Sequence, residues 1–252
     1  MPKPCAILPN RKMKPILTAL SLFVAVFASA NYRTLTDEQI TYGIFQAAPE
    51  EIRLHWQDAQ GTPYGSLTRL KNALQSDYQI KLLMNAGIYT QNHTPAGLWI
   101  ENGRELQPLN LKRGKGNFHL QPNGVFVIAD KKASIFTSTD YQKQKIKPTF
   151  ALQSGPMLII HGRMNDQFGE QKASYYKRNA VCLDKQGNVL FVLTIEGRPN
   201  LYTFSQGLLK IGCQNALYLD GAISDWYIPN QFSSLHWRPF VGMISVLETH
   251  KK

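Results

Sequence analysis

Apolar positions along the chain cluster in short runs, and several of these runs end at a polar corner that contains glycine. Residues 80–84 and 189–195 are the clearest runs, and each predicts a buried strand. Glycine lets the backbone turn sharply where a strand ends, which leaves a polar side chain at the rim. Four corners fit this description: residues 85–89, 154–156, 196–198 and 219–221. Because they carry two carboxylates and an arginine, we expect the strand ends to converge on one site.

Pairs of apolar runs separated by short turns predict hairpins. Residues 98–100 and 104–106 flank Asn102-Gly103, a dipeptide that favours a two-residue turn. The same pattern pairs residues 124–129 with 133–138, and residues 181–183 with 189–195. Consecutive hairpins indicate an antiparallel or mixed sheet rather than a doubly wound one.

After residue 30, helical spacing is confined to two segments. Residues 66–74 place three leucines on one helical face. Residues 204–211 predict a second helix, with Thr203 or Ser205 as its N-cap and Gly212 as its stop. We therefore predict an α+β fold, in which a mostly antiparallel or mixed twisted sheet carries a few packed helices in a single domain.

The first thirty residues have the three parts of a secretory signal peptide. A basic start is followed by apolar residues 15–27 and by Ala28-Ser29-Ala30, a small-residue cleavage pattern. The apolar stretch is too short for a membrane span of ~20 residues. A buried N-terminal helix is the alternative, and Met13 is a second candidate start. Cleavage leaves residues 31–252, which contain no segment long and apolar enough to cross a bilayer, so we predict an exported, periplasmic or secreted protein.

Removal of this segment lowers the net charge from +11 to +7, because it carries four basic and no acidic residues. A positive excess suits an anionic ligand or an envelope surface, and a charge balance set by solubility explains it equally well. Nucleic acid is disfavoured as a partner because no basic run or base-stacking motif is present. Residues 139–148, which contain several lysines, predict an exposed loop or edge.

Two cysteines, Cys182 and Cys213, remain after Cys5 is lost with the signal peptide. An exported chain with two cysteines favours one disulfide, and two buried free thiols are the alternative. A catalytic cysteine is disfavoured because neither residue has a basic neighbour in the sequence.

Five segments occur in an order that resembles the phosphodiester glycosidase family. They are Asn85-Ala86-Gly87-Ile88-Tyr89, residues 116–126, Ser154-Gly155-Pro156, Arg178-Asn179-Ala180 and Leu217-Tyr218-Leu219-Asp220-Gly221. The resemblance covers roughly residues 84–224 and extends the family assignment to residues 31–252 as one domain. It implies an exported glycoside hydrolase that cleaves a sugar-1-phosphodiester bond in an envelope or extracellular glycan.

The same resemblance assigns roles to individual positions. It implies that Asn85 and Tyr89 line the pocket, and that Ser154 and Gly155 form one wall. It also implies that the side chain of Arg178 extends into the pocket. Glu196 and Arg198 stand where the family often has Asp-Gly-Arg. Asp220 stands at the acid of the family's Leu-Asp-Gly-Gly-Gly-Ser turn. This chain departs from the family after Gly221, where it reads Ala222-Ile223-Ser224.

The residue types at these corners suit cleavage of a glycosyl phosphate independently of the family resemblance. Cleavage of a glycosyl phosphate needs stabilisation of an oxocarbenium-like transition state, which carboxylates such as Asp220 and Glu196 provide. The planar fork of Arg178 suits phosphate oxygens, and backbone N–H groups at Gly155 or Gly221 can add to it. Phosphate leaves readily, so one carboxylate can carry most of the chemistry, and Asp220 is the first candidate.

Each of these corners also has a purely structural interpretation. Asp220-Gly221 can be an ordinary turn, Glu196 can pair with Arg198 in a salt bridge, and Asn85 can satisfy backbone groups at a bend. His119 can be a packing residue or a catalytic one. The remaining histidines lack metal-ligand spacing, so we predict no catalytic metal and no cofactor: they are His55, His93, His161 and His236.

The sequence is compatible with two further functions. A non-catalytic glycan-binding protein can keep the fold and pocket, and the altered turn after Asp220 favours it. A phosphodiesterase that cuts the P–O bond is disfavoured because such enzymes usually need metal ligands. An aromatic cluster serves sugar stacking or core packing in any of these cases: Trp226, Tyr227, Phe232 and Trp237.

Overall fold

The computed structural model describes residues 31–170, 173–231 and 239–250, together with Met1. The described residues from Asn31 onward form one compact unit. The strands are β1 (Tyr32–Asp37), β2 (Ile40–Ala47), β3 (Ile52–His55), β4 (Tyr78–Asn85), β5 (Trp99–Glu101), β6 (Arg104–Gln107), β7 (Gly124–Ala129), β8 (Lys132–Thr137), β9 (Phe150–Ser154), β10 (Met157–Ile160), β11 (Arg163–Met164), β12 (Asn179–Asp184), β13 (Val189–Glu196), β14 (Cys213–Asp220), β15 (Trp226–Tyr227) and β16 (Met243–Thr249). The predicted signal peptide lies outside the described residues.

These strands form three sheets. A seven-stranded sheet has the order β1-β2-β13-β12-β14-β10-β11, a four-stranded sheet β15-β4-β16-β3, and a five-stranded sheet β6-β5-β9-β7-β8. Every strand pairing within the described part of the chain is antiparallel. The prediction of a mostly antiparallel β structure with few helices is therefore confirmed.

The central strands of the seven-stranded sheet are buried on both faces, which explains their continuous apolar runs. In β12, Val181 faces a core shared with the other two sheets, whereas its neighbour Ala180 faces the opposite side. That side is covered by Phe204 and Leu208 of a helix. Alternation along a strand sends successive side chains to opposite faces, so both sets must be apolar here.

The helices are α1 (Leu67–Leu74), α2 (Ser138–Tyr141) and α3 (Leu201–Ile211). α1 buries its three leucines, as their spacing predicts. The hydroxyl of Ser66 caps the helix by accepting from the Arg69 N–H. The predicted start of α3 was wrong. Its N-cap is Asn200, whose side-chain oxygen accepts from the Thr203 N–H at 2.8 Å, so the helix begins one turn earlier than its apolar spacing suggests. Gly212, at φ 105°, ends it as predicted.

The three hairpins are confirmed. At the tip of the β5–β6 hairpin Asn102 and Gly103 have φ angles of 50° and 78°, and Asp130 and Lys131 have 49° and 59° between β7 and β8. Two consecutive positive φ angles match the twist of the flanking strands. The segment of residues 139–148 begins within α2 and is largely exposed, in agreement with its lysine content.

The predicted disulfide between Cys182 and Cys213 is present, with a Cα–Cα distance of 5.7 Å. Cys182 lies within β12 and Cys213 is the first residue of β14, its neighbour in the sheet. Both are buried under α3. The bond therefore joins adjacent strands at the end of β14 that lies opposite Asp220.

Candidate active site

Strand ends from three different sheets meet at one place. Asn85 is the last residue of β4, Ser154 of β9 and Asp220 of β14. The Asn85 side-chain amide donates to Asp220 Oδ2 at 2.7 Å. The hydroxyl of Ser154 donates to the carbonyl of Leu219 at 3.5 Å. Three of the polar corners singled out in the sequence are thereby brought together.

The carboxylate of Asp220 is held at both oxygens. Oδ1 accepts the backbone N–H of Gly221 at 2.6 Å and that of Ala222 at 3.0 Å, while Oδ2 accepts from Asn85. Burial raises the pKa of Asp220, and the hydrogen bonds from Ala222, Gly221 and Asn85 oppose this rise. The result is a carboxyl group with a fixed orientation in a partly desolvated position, a combination that is common at functional sites.

The turn after Asp220 accommodates the departure from the family's glycines. Gly221, Ala222 and Ile223 have no positive φ angle, so alanine and isoleucine fit this backbone without strain. Gly221 is needed for a different reason: a Cβ atom there would lie 1.6 Å from the Tyr218 hydroxyl oxygen. Ser224 closes the turn by donating to the carbonyl of Asp220 at 2.9 Å.

Asn85 is oriented by a group of residues that were not assigned a role from the sequence. Its Oδ1 accepts from the Asp225 N–H at 2.8 Å and from the Asn179 side-chain amide at 3.1 Å. These donors fix Oδ1, so the amide NH₂ must point at Asp220. Asn179 and Asp225 are 0% and 2% exposed. Both fall inside or beside the family motifs, but the sequence alone gives no sign that they contact Asn85.

Arg178 lies directly behind this turn and is fully buried. Its Nη1 donates to the Tyr218 hydroxyl at 2.7 Å, its Nε to the carbonyl of Pro199 at 2.8 Å, and its Nη2 to Ser174. A Cβ at Gly221 would lie 3.1 Å from Nη1. In this conformation the guanidinium joins residues 174, 199 and 218 and thereby supports the Asp220 turn. Its role as a phosphate ligand stays a prediction.

Glu196 and Arg198 lie at the exposed end of β13. The Glu196 carboxylate accepts from the Thr41 hydroxyl at 3.0 Å, on the side of β13 that faces β2. Strand β12 lies between β13 and β14, and within the described ranges no hydrogen bond or ion pair joins Glu196 to Asp220 or to Arg198. The structure therefore does not bring Glu196 into the Asp220 cluster, and its catalytic role stays a prediction.

Tyr89 and Gly155 complete the predicted set. Burial raises the pKa of the Tyr89 phenol, and the negative charge of Asp220 adds to this rise. Gly155 permits close packing, because a Cβ there would lie 2.7 Å from Cβ of Asn123 and 2.9 Å from the carbonyl oxygen of Phe118. Residues 116–126 thus pack against the Ser154–Gly155 wall.

The histidines and aromatic residues take other places. Nδ1 of His119 lies 2.9 Å from the carbonyl oxygen of Lys112. Trp226 is buried and packs edge-on against Tyr32 at 5.9 Å, which makes it a core residue. His236, Phe232 and Trp237 lie outside the described residues.

Among the residues that the structure describes, no group of three or more histidine, cysteine, aspartate or glutamate side chains is placed to hold a metal ion. None of the described helices has the length and apolar character that crossing a bilayer requires.

The chain is similar to several known proteins. The chain is 36% identical over 239 residues to the uncharacterized protein YigE of Escherichia coli K12, covering 93% of this chain and 92% of YigE. The fold resembles the catalytic domain of zebrafish N-acetylglucosamine-1-phosphodiester α-N-acetylglucosaminidase, solved in a form auto-inhibited by its pro-peptide, with a TM-score of 0.60 and 14% identity over 86% of this chain and 81% of that one.

A putative exported protein of Burkholderia pseudomallei is also similar in fold, with a TM-score of 0.52 and 9% identity over 83% of this chain and 74% of that one. A sequence model of the phosphodiester glycosidase domain matches residues 78–240, which include every polar corner described above. The chain therefore belongs to the phosphodiester glycosidase family.

Proposed function

We propose that this protein is an exported hydrolase that cleaves the C1–O bond of a sugar-1-phosphodiester, with Asp220 as its principal catalytic group. The observation that carries the proposal is the Asp220 carboxylate, held by two backbone N–H groups and Asn85 at the junction of three sheets. Its position at a strand end matches the acid of the family's Leu-Asp-Gly turn. The family assignment supports the reaction class, and the geometry supports the choice of Asp220.

In the proposed reaction the C1–O bond breaks and its electron pair leaves on the phosphate oxygen. Positive charge develops at C1 and the ring oxygen, and the Asp220 carboxylate stabilises it, either by attack on C1 or by taking a proton from the incoming water. The water oxygen bonds to C1, and if Asp220 has attacked C1 this step breaks the C1–Asp220 bond and releases the carboxylate. One proton of the water passes to the departed phosphate, directly or through Asp220, and the second stays on the sugar hydroxyl. Because a phosphate monoester is a good leaving group, the step does not depend on a strong general acid.

The hydrogen bonds around Asp220 support this role. The donors at Gly221, Ala222 and Asn85 fix both carboxylate oxygens, so little reorganisation is needed when charge develops. Partial burial strengthens the electrostatic interaction between the carboxylate and a cationic transition state. Chelator-resistant activity is part of the proposal, since no step of the proposed reaction uses a metal ion.

Export is proposed from three features. The sequence begins with a segment that reads as a signal peptide, the Cys182–Cys213 disulfide suits an oxidising compartment, and the mature chain keeps a charge of +7, which suits an anionic glycan. We propose that the substrate is a phosphodiester-linked envelope or extracellular glycan, with no nucleic acid partner.

A glycan-binding protein without turnover is the second candidate, and the altered turn was its main support. That support weakens because Ala222 and Ile223 fit the turn without positive φ, and Ala222 still donates to Asp220. The enzyme is therefore the better supported of the two.

Hydrolysis in ¹⁸O-labelled water tests the proposal. Purified mature protein is incubated with a panel of glycosyl phosphodiesters, with and without EDTA, and products are identified by mass spectrometry. We expect ¹⁸O in the C1 hydroxyl of the released sugar, with unchanged rates in EDTA. Label in the phosphate would indicate P–O cleavage and a phosphodiesterase, whereas binding without turnover across the panel would establish the glycan-binding function instead.

A further inference from the structure

A phosphodiester substrate brings at least one negative charge to the Asp220 site, and a cation must offset it. Arg178 is the residue that the sequence favours for this task. The structure gives it other partners, since its three nitrogens donate to Tyr218, Pro199 and Ser174 and its side chain is fully buried. A guanidinium committed in this way is well suited to hold the turn, and less suited to meet an incoming phosphate.

The residue just before it, Lys177, has the opposite character. Its Nζ lies 3.7 Å from Oδ1 of Asp225, and its side chain is 41% exposed whereas that of Asp225 is 2% exposed. A lysine ammonium has three donors. At 3.7 Å the pair is an ion pair rather than a tight hydrogen bond, so donors of Lys177 are free to turn toward solvent.

Asp225 links this lysine to the candidate active site. Its backbone N–H donates to Asn85 Oδ1 at 2.8 Å, and the same Asn85 donates to Asp220 at 2.7 Å. Oδ1 of Asp225 also accepts the backbone N–H of Trp226 at 3.0 Å, which fixes the carboxylate that faces the ammonium. A buried carboxylate holds a partner cation in place more firmly than an exposed one, because water screens the pair less.

We propose that Lys177, positioned by Asp225, is the cation that contacts the phosphate of the substrate, and that Arg178 is a positioning residue for the Asp220 turn. This inference rests on the proposed function and adds the phosphate contact to it. Lys177 lies two residues before β12, and the first residue of β12, Asn179, pairs with Asp220 at the end of β14. A sugar seated at Asp220 would therefore have its phosphate within reach of the exposed ammonium.

Binding of inorganic phosphate by isothermal titration calorimetry tests the inference without turnover. Wild type is compared with Lys177→Gln, with the charge-keeping Lys177→Arg, and with Lys210→Gln. Lys210 provides a matched control, because it also forms an ion pair, with Asp37 at 2.7 Å, at the far end of α3. We expect Lys177→Gln to weaken phosphate binding at least about tenfold, as loss of a charge-assisted contact implies, while the other two variants stay within about threefold.

A folding defect is separated from a binding defect by a double variant. Lys177→Gln takes this cation away from the buried Asp225 carboxylate, which should lower the melting temperature. Adding Asp225→Asn removes the negative charge of that carboxylate, so the melting temperature should return toward that of wild type. Phosphate binding should remain weak in the double variant. With a hydrolysed substrate, Lys177→Gln should raise KM more than it lowers kcat.

The outcomes are distinct. Lys177→Gln protein that binds phosphate as wild type does, or wild-type protein that binds no phosphate, overturns the inference. Wild-type protein that binds phosphate through Lys177 yet hydrolyses no phosphodiester leaves the anion contact standing and removes the proposed enzymatic function.

Discussion

Replacing Asp220 by asparagine removes the charge of the carboxylate while keeping its shape, so its effects on fold and on chemistry can be separated. Oδ1 of Asp220 accepts two backbone N–H groups of the turn, and Oδ2 accepts from Asn85. An asparagine amide has one acceptor oxygen, so it can serve the turn or Asn85 but not both.

The size of each effect follows from these contacts. One unsatisfied hydrogen bond costs about 1–3 kcal/mol, and removal of a partly desolvated charge offsets part of that cost. We therefore expect the free energy of unfolding of Asp220→Asn to fall by less than about 3 kcal/mol. Loss of the carboxylate should lower kcat/KM by about 10²–10⁴-fold.

An exchange variant provides the control. Asp220→Asn combined with Asn85→Asp places a carboxylate on β4 and an amide on β14. The oxygens at position 85 can then accept from the Asp225 N–H, from Asn179 and from the new amide, so every hydrogen bond of the cluster is kept. Stability in urea should return to within about 1 kcal/mol of wild type, because the two positions are directly coupled. The kcat/KM of the exchange variant should stay as low as that of Asp220→Asn.

The assays are urea unfolding and initial rates of reducing-sugar release. Undiminished hydrolysis by Asp220→Asn, or recovery of hydrolysis in the exchange variant, would refute the assignment of Asp220. The pH profile gives a second check. Burial raises the pKa of Asp220, so kcat/KM of the wild type should fall on the acid side at a pH above the ordinary aspartate value of about 3.9.

Three other changes test separate parts of the structure. Cys213→Ser should lower the free energy of unfolding by about 3–4 kcal/mol, given the 31-residue separation of the disulfide, and wild type measured with reductant should match it. Burial, aided by Arg53, lowers the pKa of His55 to about 4, so wild-type stability should fall by at most about 3 kcal/mol as pH drops from about 6.5 to 4. His55→Gln should flatten that slope in urea titrations. Glu196→Gln tests the predicted catalytic role of Glu196. A fall in kcat well beyond about twofold supports that role, whereas a smaller change is what the loss of one exposed hydrogen bond gives and would contradict it.

The sequence predicts the elements better than their convergence. The turn at Asn102-Gly103 and the leucine spacing of α1 are local signals, and both elements form as expected. The start of α3 is missed because Asn200 lies outside the apolar repeat, although its side chain makes the capping bond.

At the site, Asn85 and Asp220 are found through glycine corners and family resemblance, but their mutual hydrogen bond depends on how separate sheets pack. Glu196 shows the limit of this reasoning. Its corner resembles the others, yet its carboxylate contacts Thr41 on β2, a contact that no local pattern encodes. Burial of Asp225 is likewise set by tertiary packing.

The meeting of three sheet ends also determines when the site can exist. The contacts that build it join residues far apart in the chain: 135 positions separate Asn85 from Asp220, 94 separate Asn85 from Asn179, and 65 separate Ser154 from Leu219. Strand β16, which pairs with the β4 strand that carries Asn85, ends at Thr249. A chain synthesised or threaded only as far as residue 219 therefore lacks the cluster, because Asp220 and Asp225 have not yet joined Asn85. Hydrolysis would therefore occur only after these distant segments have folded together. A chain that is still crossing a membrane in extended form would be inactive.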